Sequence, residues 1–430
     1  MTTEHLTRAD PLPDVLGGID LTDHDNFADG VPYELLARLR AEAPVLFHPH
    51  GSSREDGFWV LTRHADIEAA AADPAFSAQG GGGREGGGTH LEDLPDGMLT
   101  GVLLFMMDDP RHELIKRVLH PFVTGRAIAG LEPALRARTE ELVDAAVAAG
   151  RAEVVTAIAE PLALQAIASL LGVPPEDWPR LLDWVRAALG FTDRRTGRAT
   201  DGSRAVFDAM REYFRRFVLA KHADPREDLG SVIAIGEVPD GEPLSEVERD
   251  THAAVLFVSG YEQPRNTIAA AIRAFAEHPD QWALLKADRS LLAGAVEEVL
   301  RWAPANPYNR RTATRDVVVR GQHIRAGDKV TFWWPSANRD PEVFAAPDVF
   351  DIRRAPNPHM AFGSGTHACS GDEFGRLQLR LVLTALLDRV AEITPDGPVA
   401  HAPNNKHTVL LDAPVRLVPT VQESQRGSLR

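Results

Sequence analysis

The chain is nearly devoid of cysteine: Cys369 is the only one in 430 residues. One thiol cannot form an internal disulfide, so a disulfide-stapled fold is excluded, and it cannot hold an iron–sulfur cluster, which needs several thiolates. Long hydrophobic runs are missing too. No apolar stretch reaches the ~18 residues that a membrane-spanning helix needs, and the first residues, Met1 to Arg8, lack the apolar core of a signal peptide. Positive charge is in deficit, with 46 Lys and Arg against 62 Asp and Glu, a formal net charge of −16. Nucleic acid and anionic membrane surfaces both reward an excess of Lys and Arg, so neither is expected as a partner. No linker-like stretch and no internal repeat divides the sequence. The expectation is a cytoplasmic protein with one large domain over residues 21–418, an N-terminal tail at 1–20 and a C-terminal tail at 419–430.

What is present is ordinary globular material, 44% hydrophobic and 25% charged. Apolar periodicity predicts helices at 33–43, 131–149, 158–171, 203–221, 245–275 and 288–302. Short β-rich runs at 57–62, 316–320 and 329–334 predict strands between them. The fold class is therefore mainly α with small β-sheets, an α+β arrangement. The glycine-rich stretch Gln79 to Gly88 is expected to be a flexible loop, because its glycines lose the most backbone entropy on ordering.

Cys369 stands in Phe362-Gly363-Ser364-Gly365-Thr366-His367-Ala368-Cys369-Ser370-Gly371, directly before an apolar-periodic helix at about 370–387. Glycines allow backbone N–H groups to approach the sulfur, and the positive end of the helix points at it. That setting suits a metal-ligand thiolate; the competing reading is an inert buried cysteine in a tight turn. The spacing Phe-x-x-Gly-x-x-x-Cys-x-Gly resembles the heme-binding loop of the cytochrome P450 superfamily, with Phe362, Gly363, Cys369 and Gly371 at its positions. The resemblance spans roughly residues 20 to 415. It implies a heme-thiolate domain in which heme b lies between a long distal helix and the proximal helix after the loop, with Cys369 as the metal ligand.

Other stretches are similar to the same family. Glu298-Val-Leu-Arg301 alone is a commonplace i,i+3 pair, worth a few tenths of a kcal/mol on a surface. Upstream of the cysteine loop it matches the family's Glu-x-x-Arg, implying an ion pair that locks the region beneath the heme. Ala337 to Phe350 resembles the following meander. Val349 stands where some members carry a basic residue, which leaves the network's third partner open. The two heme propionates need cationic or donor partners; the resemblance assigns them His112, Lys116, Arg311 and His367. Lys116 replaces a more usual Arg and gives up bidentate geometry. His367 is also a conceivable axial ligand, secondary to Cys369.

The segment Ala253 to Ile268 is similar to the family's distal helix, where a small residue, a glycine, an acid and a threonine handle oxygen. Here Gly260 and Glu262 fit, but Gln263 replaces the threonine and Pro264 follows. A hydroxyl both donates and accepts, whereas an amide splits the two roles between atoms and is no practical acid at neutral pH. Proline removes the N–H that the Gly260 carbonyl would meet and is expected to bend the helix. Four readings remain open: the substrate supplies a hydroxyl, the relay runs through Glu262 and water, the chemistry needs less protonation control, or Gln263 is merely tolerated.

By position, the pocket lining is expected from Met98 to Met107, residues 184–200, Ala254 to Glu262, Pro304 to Tyr308 and Asn404 to His407. The charged run Thr192 to Arg198 suits a carboxylate or a carrier phosphate, or is a solvated loop. The function implied is a monooxygenase that inserts one atom of O2 into a hydrophobic small molecule: a sterol, terpenoid or lipid, or an intermediate of secondary metabolism. Electrons come from a separate ferredoxin and an NAD(P)H-dependent reductase. The alternatives are a heme-thiolate enzyme for oxidative coupling or ring formation, and a heme sensor or carrier without turnover.

Overall fold

The computed structural model describes residues 11–50, 57–94, 99–188 and 201–420. The charged run Thr192 to Arg198, Met98 and most of the expected lining at 184–200 lie outside the described residues.

The central element is a helix of 32 residues, Glu246–Glu277. It begins with a capping box: the Ser245 hydroxyl accepts from the Glu248 N–H at 3.2 Å, and the Glu248 carboxylate accepts from the Ser245 N–H at 2.8 Å, which satisfies two of the donors a helix start leaves free. Ala253, Phe257, Tyr261, Ile268, Ile272 and Phe275 are fully buried, an apolar stripe at helical spacing. Pro264 lies inside this helix, which continues through it unbroken. A side-chain bond helps there, the Thr267 hydroxyl donating to the Gln263 carbonyl at 2.8 Å.

Against it pack Glu160–Leu171, Asp201–Ala223 and Asp372–Arg389, and Gly125–Ala149 lies on the first and last of these. Close approach to Glu160–Leu171 is set by Gly260, where a Cβ would stand 2.4 Å from the Ile167 Cδ1. Rings pack the helix against Asp201–Ala223; Phe214 and Phe257 lie 5.5 Å apart, each buried phenyl contributing about 1.5–3 kcal/mol relative to exposure. The predicted helices all exist, with one change: 288–302 divides into a short 3-10 turn and the helix Leu292–Trp302. The helix Arg111–Leu119 carries His112 and Lys116 one turn apart, as the resemblance implies; periodicity does not reveal the shorter helices His64–Ala72, Trp178–Ala188, Leu229–Ile235 and Pro279–Ala287.

Among the described residues the strands form four small sheets. A five-stranded sheet runs in the order Val45–His48, Phe58–Leu61, Lys329–Trp333, Tyr308–Ala313, Phe76–Ser77. It is antiparallel except for the parallel pairing of Phe58–Leu61 with Lys329–Trp333. The expected strand at 316–320 is the short hairpin partner Val317–Val319, paired with Gln322–Ile324.

Two expectations need correction. The glycine-rich stretch is folded onto the sheet: a Cβ on Gly82 would lie 2.2 Å from the Gly327 nitrogen, and one on Gly87 only 1.7 Å from the Gln79 carbonyl oxygen. Its glycines permit close backbone packing, which composition could not distinguish from looseness. The segment expected as an N-terminal tail also packs in part, since Leu16 is fully buried with Leu21, Phe27 and Leu36.

Candidate functional site

The cysteine loop is shaped by glycine and tied down from several directions. Gly363 and Gly365 adopt φ values of +77° and +71°, which L side chains resist. Space also forbids a side chain at Gly365, where a Cβ would lie 2.1 Å from the Ala71 carbonyl oxygen. The Cys369 N–H donates to the Phe362 carbonyl at 2.8 Å, and the Phe362 ring faces the Arg376 guanidinium at 4.7 Å. The Cys369 side chain is exposed, yet protein crowds it enough for burial to push the thiol up, against the Gly371 N–H; Asp372 adds to the rise, while Lys116 and Arg376 oppose it. The sequence reading expected a lowered thiol. The first turn of Asp372–Arg389 carries two acids, Asp372 and Glu373, so a thiolate there depends on a cation bound to the sulfur.

Helix Arg111–Leu119 supplies the next layer. His112 is buried and its Nδ1 lies 3.0 Å from Asp109 Oδ1, while the Thr366 hydroxyl donates to Asp109 Oδ2 at 2.9 Å. The His112 and His367 rings are 4.2 Å apart. Lys116, expected at a propionate, instead donates from Nζ to the carbonyls of Thr366 and Ala368, both at 2.7 Å. An ammonium with three donors reaches around the loop where a planar fork would be forced to one side. Replacing Lys116 by Met removes both bonds and is expected to cost about 2 kcal/mol, read as a lower urea midpoint.

Arg311, on strand Tyr308–Ala313, is 5% exposed and makes no ion pair among the described residues. Burial pulls it down to about 10, with only Asp108 supporting its charge at a distance. Beside it, His367 is pushed down to about 2 by burial and by Arg311, His112 and Lys116, and its Nδ1 is buried without a partner. Arg311 Nη1 donates to the Arg310 carbonyl at 2.9 Å, but a buried cation without a counter-ion and one orphaned imidazole nitrogen are costly unless an anion completes them. The chemistry of this donor set fits heme: one accessible sulfur for the iron, and His112, His367 and Arg311 for the carboxylates.

Behind the loop, the Glu298–Arg301 pair is wholly buried, both side chains 0% exposed. Arg301 bonds Glu298 through Nε at 2.8 Å and Nη2 at 2.7 Å, and also donates to the carbonyls of Asn338, Pro347 and Val349. The open third partner is Arg354, whose Nε lies 3.1 Å from Glu298 Oε2; Val349 contributes its carbonyl only. Asn357 and the Asp351 N–H complete the carboxylate. Neighbouring Glu297 turns to the other side, to Arg376 at 2.7 Å and His359 at 3.0 Å; despite its burial these partners hold the Glu297 carboxyl down to about 2.

On the distal helix, Glu262 is 3% exposed. Burial pushes its carboxyl up to about 7, against Arg265 and Lys406. Its Oε1 lies 3.3 Å from His407 Nδ1, and Gln263 Nε2 lies 3.2 Å from the same nitrogen. Gln263 Oε1 is buried without a partner. Adjacent Tyr261 and Arg265 bind Glu160 at 3.1 and 3.0 Å, fixing the helix on both sides of the acid. The sequence reading placed His407 only in a lining turn, because nothing in spacing relates it to Gln263, 144 residues earlier. Lys406, in the same expected lining turn, is buried and donates to the Tyr308 carbonyl and Asn309, partners that spacing does not reveal either.

Known proteins share this arrangement. The Cytochrome P450 family model matches residues 261–417. The putative cytochrome P450 126 of Mycobacterium tuberculosis is 42% identical over 401 residues, covering 91% of this chain and 96% of that protein. Linalool 8-monooxygenase of Pseudomonas putida is 31% identical, covering 86% and 92%. The crystal structure of CYP108D1 from Novosphingobium aromaticivorans superposes with a TM-score of 0.82 at 28% identity, covering 95% of this chain and 99% of that one. With 42% identity along nearly its whole length, and with a mainly helical fold and small sheets that its structural relative shares, this chain belongs to the cytochrome P450 family: it is an oxidoreductase of the monooxygenase type that works with heme iron, O2 and redox partners.

Proposed function

We propose that the chain is a heme-thiolate monooxygenase in which Cys369 is the axial ligand, and that it oxygenates a hydrophobic small molecule of terpenoid, sterol or similar lipid character. The observation that carries this reading is the buried Arg311 guanidinium, without an ion pair among the described residues, beside His112, His367 and the exposed Cys369 sulfur. When bound, the heme supplies reduction of O2 and transfer of one oxygen atom. The protein's part is to bind and orient. Arg311, His112 and His367 hold the carboxylates, Lys116 holds the loop carbonyls, and Phe362, Gly363 and Gly371 keep the sulfur in place.

The heme is held without covalent attachment, as heme b, because the single cysteine is already committed to the iron. The single cysteine cannot hold an iron–sulfur cluster, and the electron donor this reading takes is a ferredoxin reduced at the expense of NAD(P)H. Among the described residues no helix is long and apolar enough to cross a membrane. Leu104, Phe105, Ala254 and Val258, on the segments from which the lining is expected, are half-buried or exposed and apolar, which suits an isoprenoid, and the linalool-oxidising relative supports that class.

The test is reconstitution with ferredoxin, reductase and NAD(P)H, after titrating sterols, terpenoids, fatty acids, indoles and cyclic dipeptides against the heme absorption band. The expected result is a spectral shift with terpenoids or sterols and an oxygenated product. A shift confined to aromatic or peptide-derived ligands favours the second reading, oxidative coupling or ring formation, which the stranded amide oxygen of Gln263 keeps in view. Gln263→Thr is expected to lower product formed per electron pair severalfold, because it removes the amide that engages His407. A rise instead marks Gln263 as merely tolerated.

A further inference from the structure

His407 comes from the C-terminal segment, far from the distal helix in sequence, yet one of its nitrogens is within hydrogen-bond reach of two consecutive residues of that helix. Its backbone is anchored with unusual care. Asn404 Oδ1 accepts from the N–H groups of Lys406 and His407 at 2.8 and 3.0 Å, Asn405 Nδ2 donates to the Leu21 carbonyl at 2.9 Å, and the Thr408 N–H donates to the Ala305 carbonyl at 2.9 Å. Lys406 adds its own bonds to Tyr308 and Asn309. Such anchoring fixes the imidazole against the acid rather than leaving it on a loose turn.

The acid needs such a neighbour. The Glu262 side chain is 4% exposed and that of His407 is 23%, so the imidazole is the more accessible member of the pair. A buried carboxyl gives up and regains a proton only through a group that can take one on one atom and release one from another. The Gln263 amide cannot do this; an imidazole can.

We propose that His407 is a positioning residue that acts through Glu262, carrying protons between the buried carboxyl and the accessible side of the ring, with Gln263 holding the ring in place. The inference rests on the monooxygenase reading above. In one direction the Glu262 proton passes to Nδ1 and the Nε2 proton leaves; the reverse order reloads the acid, so each transfer takes up one proton and releases one. The amide orientation agrees with this. Gln263 Nε2 lies 3.2 Å from Nδ1 and can hold its lone pair while Glu262 keeps its proton, yielding that lone pair when the carboxyl hands the proton over; the buried amide oxygen stays free to accept from water or substrate. Around the pair lie Arg265 on the distal helix, Lys406 beside His407, and the His90 ring 6.3 Å from His407. Burial holds His407 at about 3, with Lys406 adding to the effect, and Glu262 at about 7. The ring is therefore neutral at working pH and the acid is poised to exchange.

The experiment compares wild type, His407→Phe, His407→Asn and Glu262→Gln as heme-loaded enzymes. The first readout is the infrared carbonyl band of protonated Glu262, assigned by its loss in Glu262→Gln. It is expected to move to higher wavenumber in His407→Phe, which removes the acceptor, and to stay in place in His407→Asn, whose amide can still bond. An unmoved band in His407→Phe overturns the contact. The second readout is product formed per electron pair consumed. Both His407 variants are expected to fall about tenfold or more, with peroxide rising in place of product and substrate affinity retained. A His407→Asn enzyme that couples like the wild type overturns the relay, because a bond without proton transfer then suffices. Failure of the monooxygenase reading looks different: the wild type itself gives no oxygenated product with any donor, while the infrared comparison still stands.

Discussion

Cys369→Ser abolishes product formation, by about a thousandfold or more, and removes the red-shifted absorption band that a thiolate ligand gives to the reduced, carbon monoxide-bound heme. Sulfur is the softer donor and carries its charge to the iron; a serine hydroxyl stays protonated and binds weakly. Folding is expected to survive. The Cys369 side chain is exposed and its backbone bond to Phe362 does not involve the sulfur, so stability without heme should change by no more than about 0.5 kcal/mol. His367→Ala provides the contrast. It keeps the thiolate band and loses heme affinity, because His367 lies with His112 and Arg311 rather than in place of the sulfur. The opposite pattern, with the band lost in His367→Ala and kept in Cys369→Ser, would make His367 the ligand.

The second large effect is on stability. Arg301→Ala leaves the Glu298 carboxylate buried with Arg354 as its remaining cation and strands the carbonyls of Asn338, Pro347 and Val349. Removing one partner of a buried pair costs about 3–5 kcal/mol, a third or more of the ~5–15 kcal/mol that holds a typical domain together. Urea denaturation of the heme-free protein should show a midpoint lowered accordingly. Glu298→Leu combined with Arg301→Leu is expected to lose less than the sum of the two single changes, since neither member of the pair is left facing the other's vacated place, although Arg354 gives up its carboxylate in the double variant as it does in Glu298→Leu alone. Strict additivity would mean that the two side chains act independently.

The shape of the cysteine loop was readable in the sequence because its determinants are local. The cysteine, its glycines and the following helix fall within a few residues of one another, and the left-handed φ values at Gly363 and Gly365 are what such glycines are for. Glu298 and Arg301 were legible as a pair but not as a buried one. Burial comes from Arg354, Asn357 and Asp351, more than fifty residues away, and spacing along one helix carries no trace of them. The same limit hid His407, which meets Glu262 only because the C-terminal segment folds back across the distal helix. Gly82 and Gly87 misled for a different reason: glycine serves looseness and tight packing equally well, and only the neighbouring backbone of Gly327 and Gln79 decides between them. Lys116 was placed correctly on its helix; its partners turned out to be loop carbonyls.

Asn405 holds the carbonyl of Leu21, and Leu21 packs with Leu16 and Phe27. The opening turns of the polypeptide thereby brace the segment that carries Lys406 and His407. An expression tag or a trimmed N-terminus reaching as far as Leu16 is consequently an alteration of the wall around Glu262, and enzyme preparations that differ only at that end should be compared for coupling efficiency before they are treated as the same catalyst.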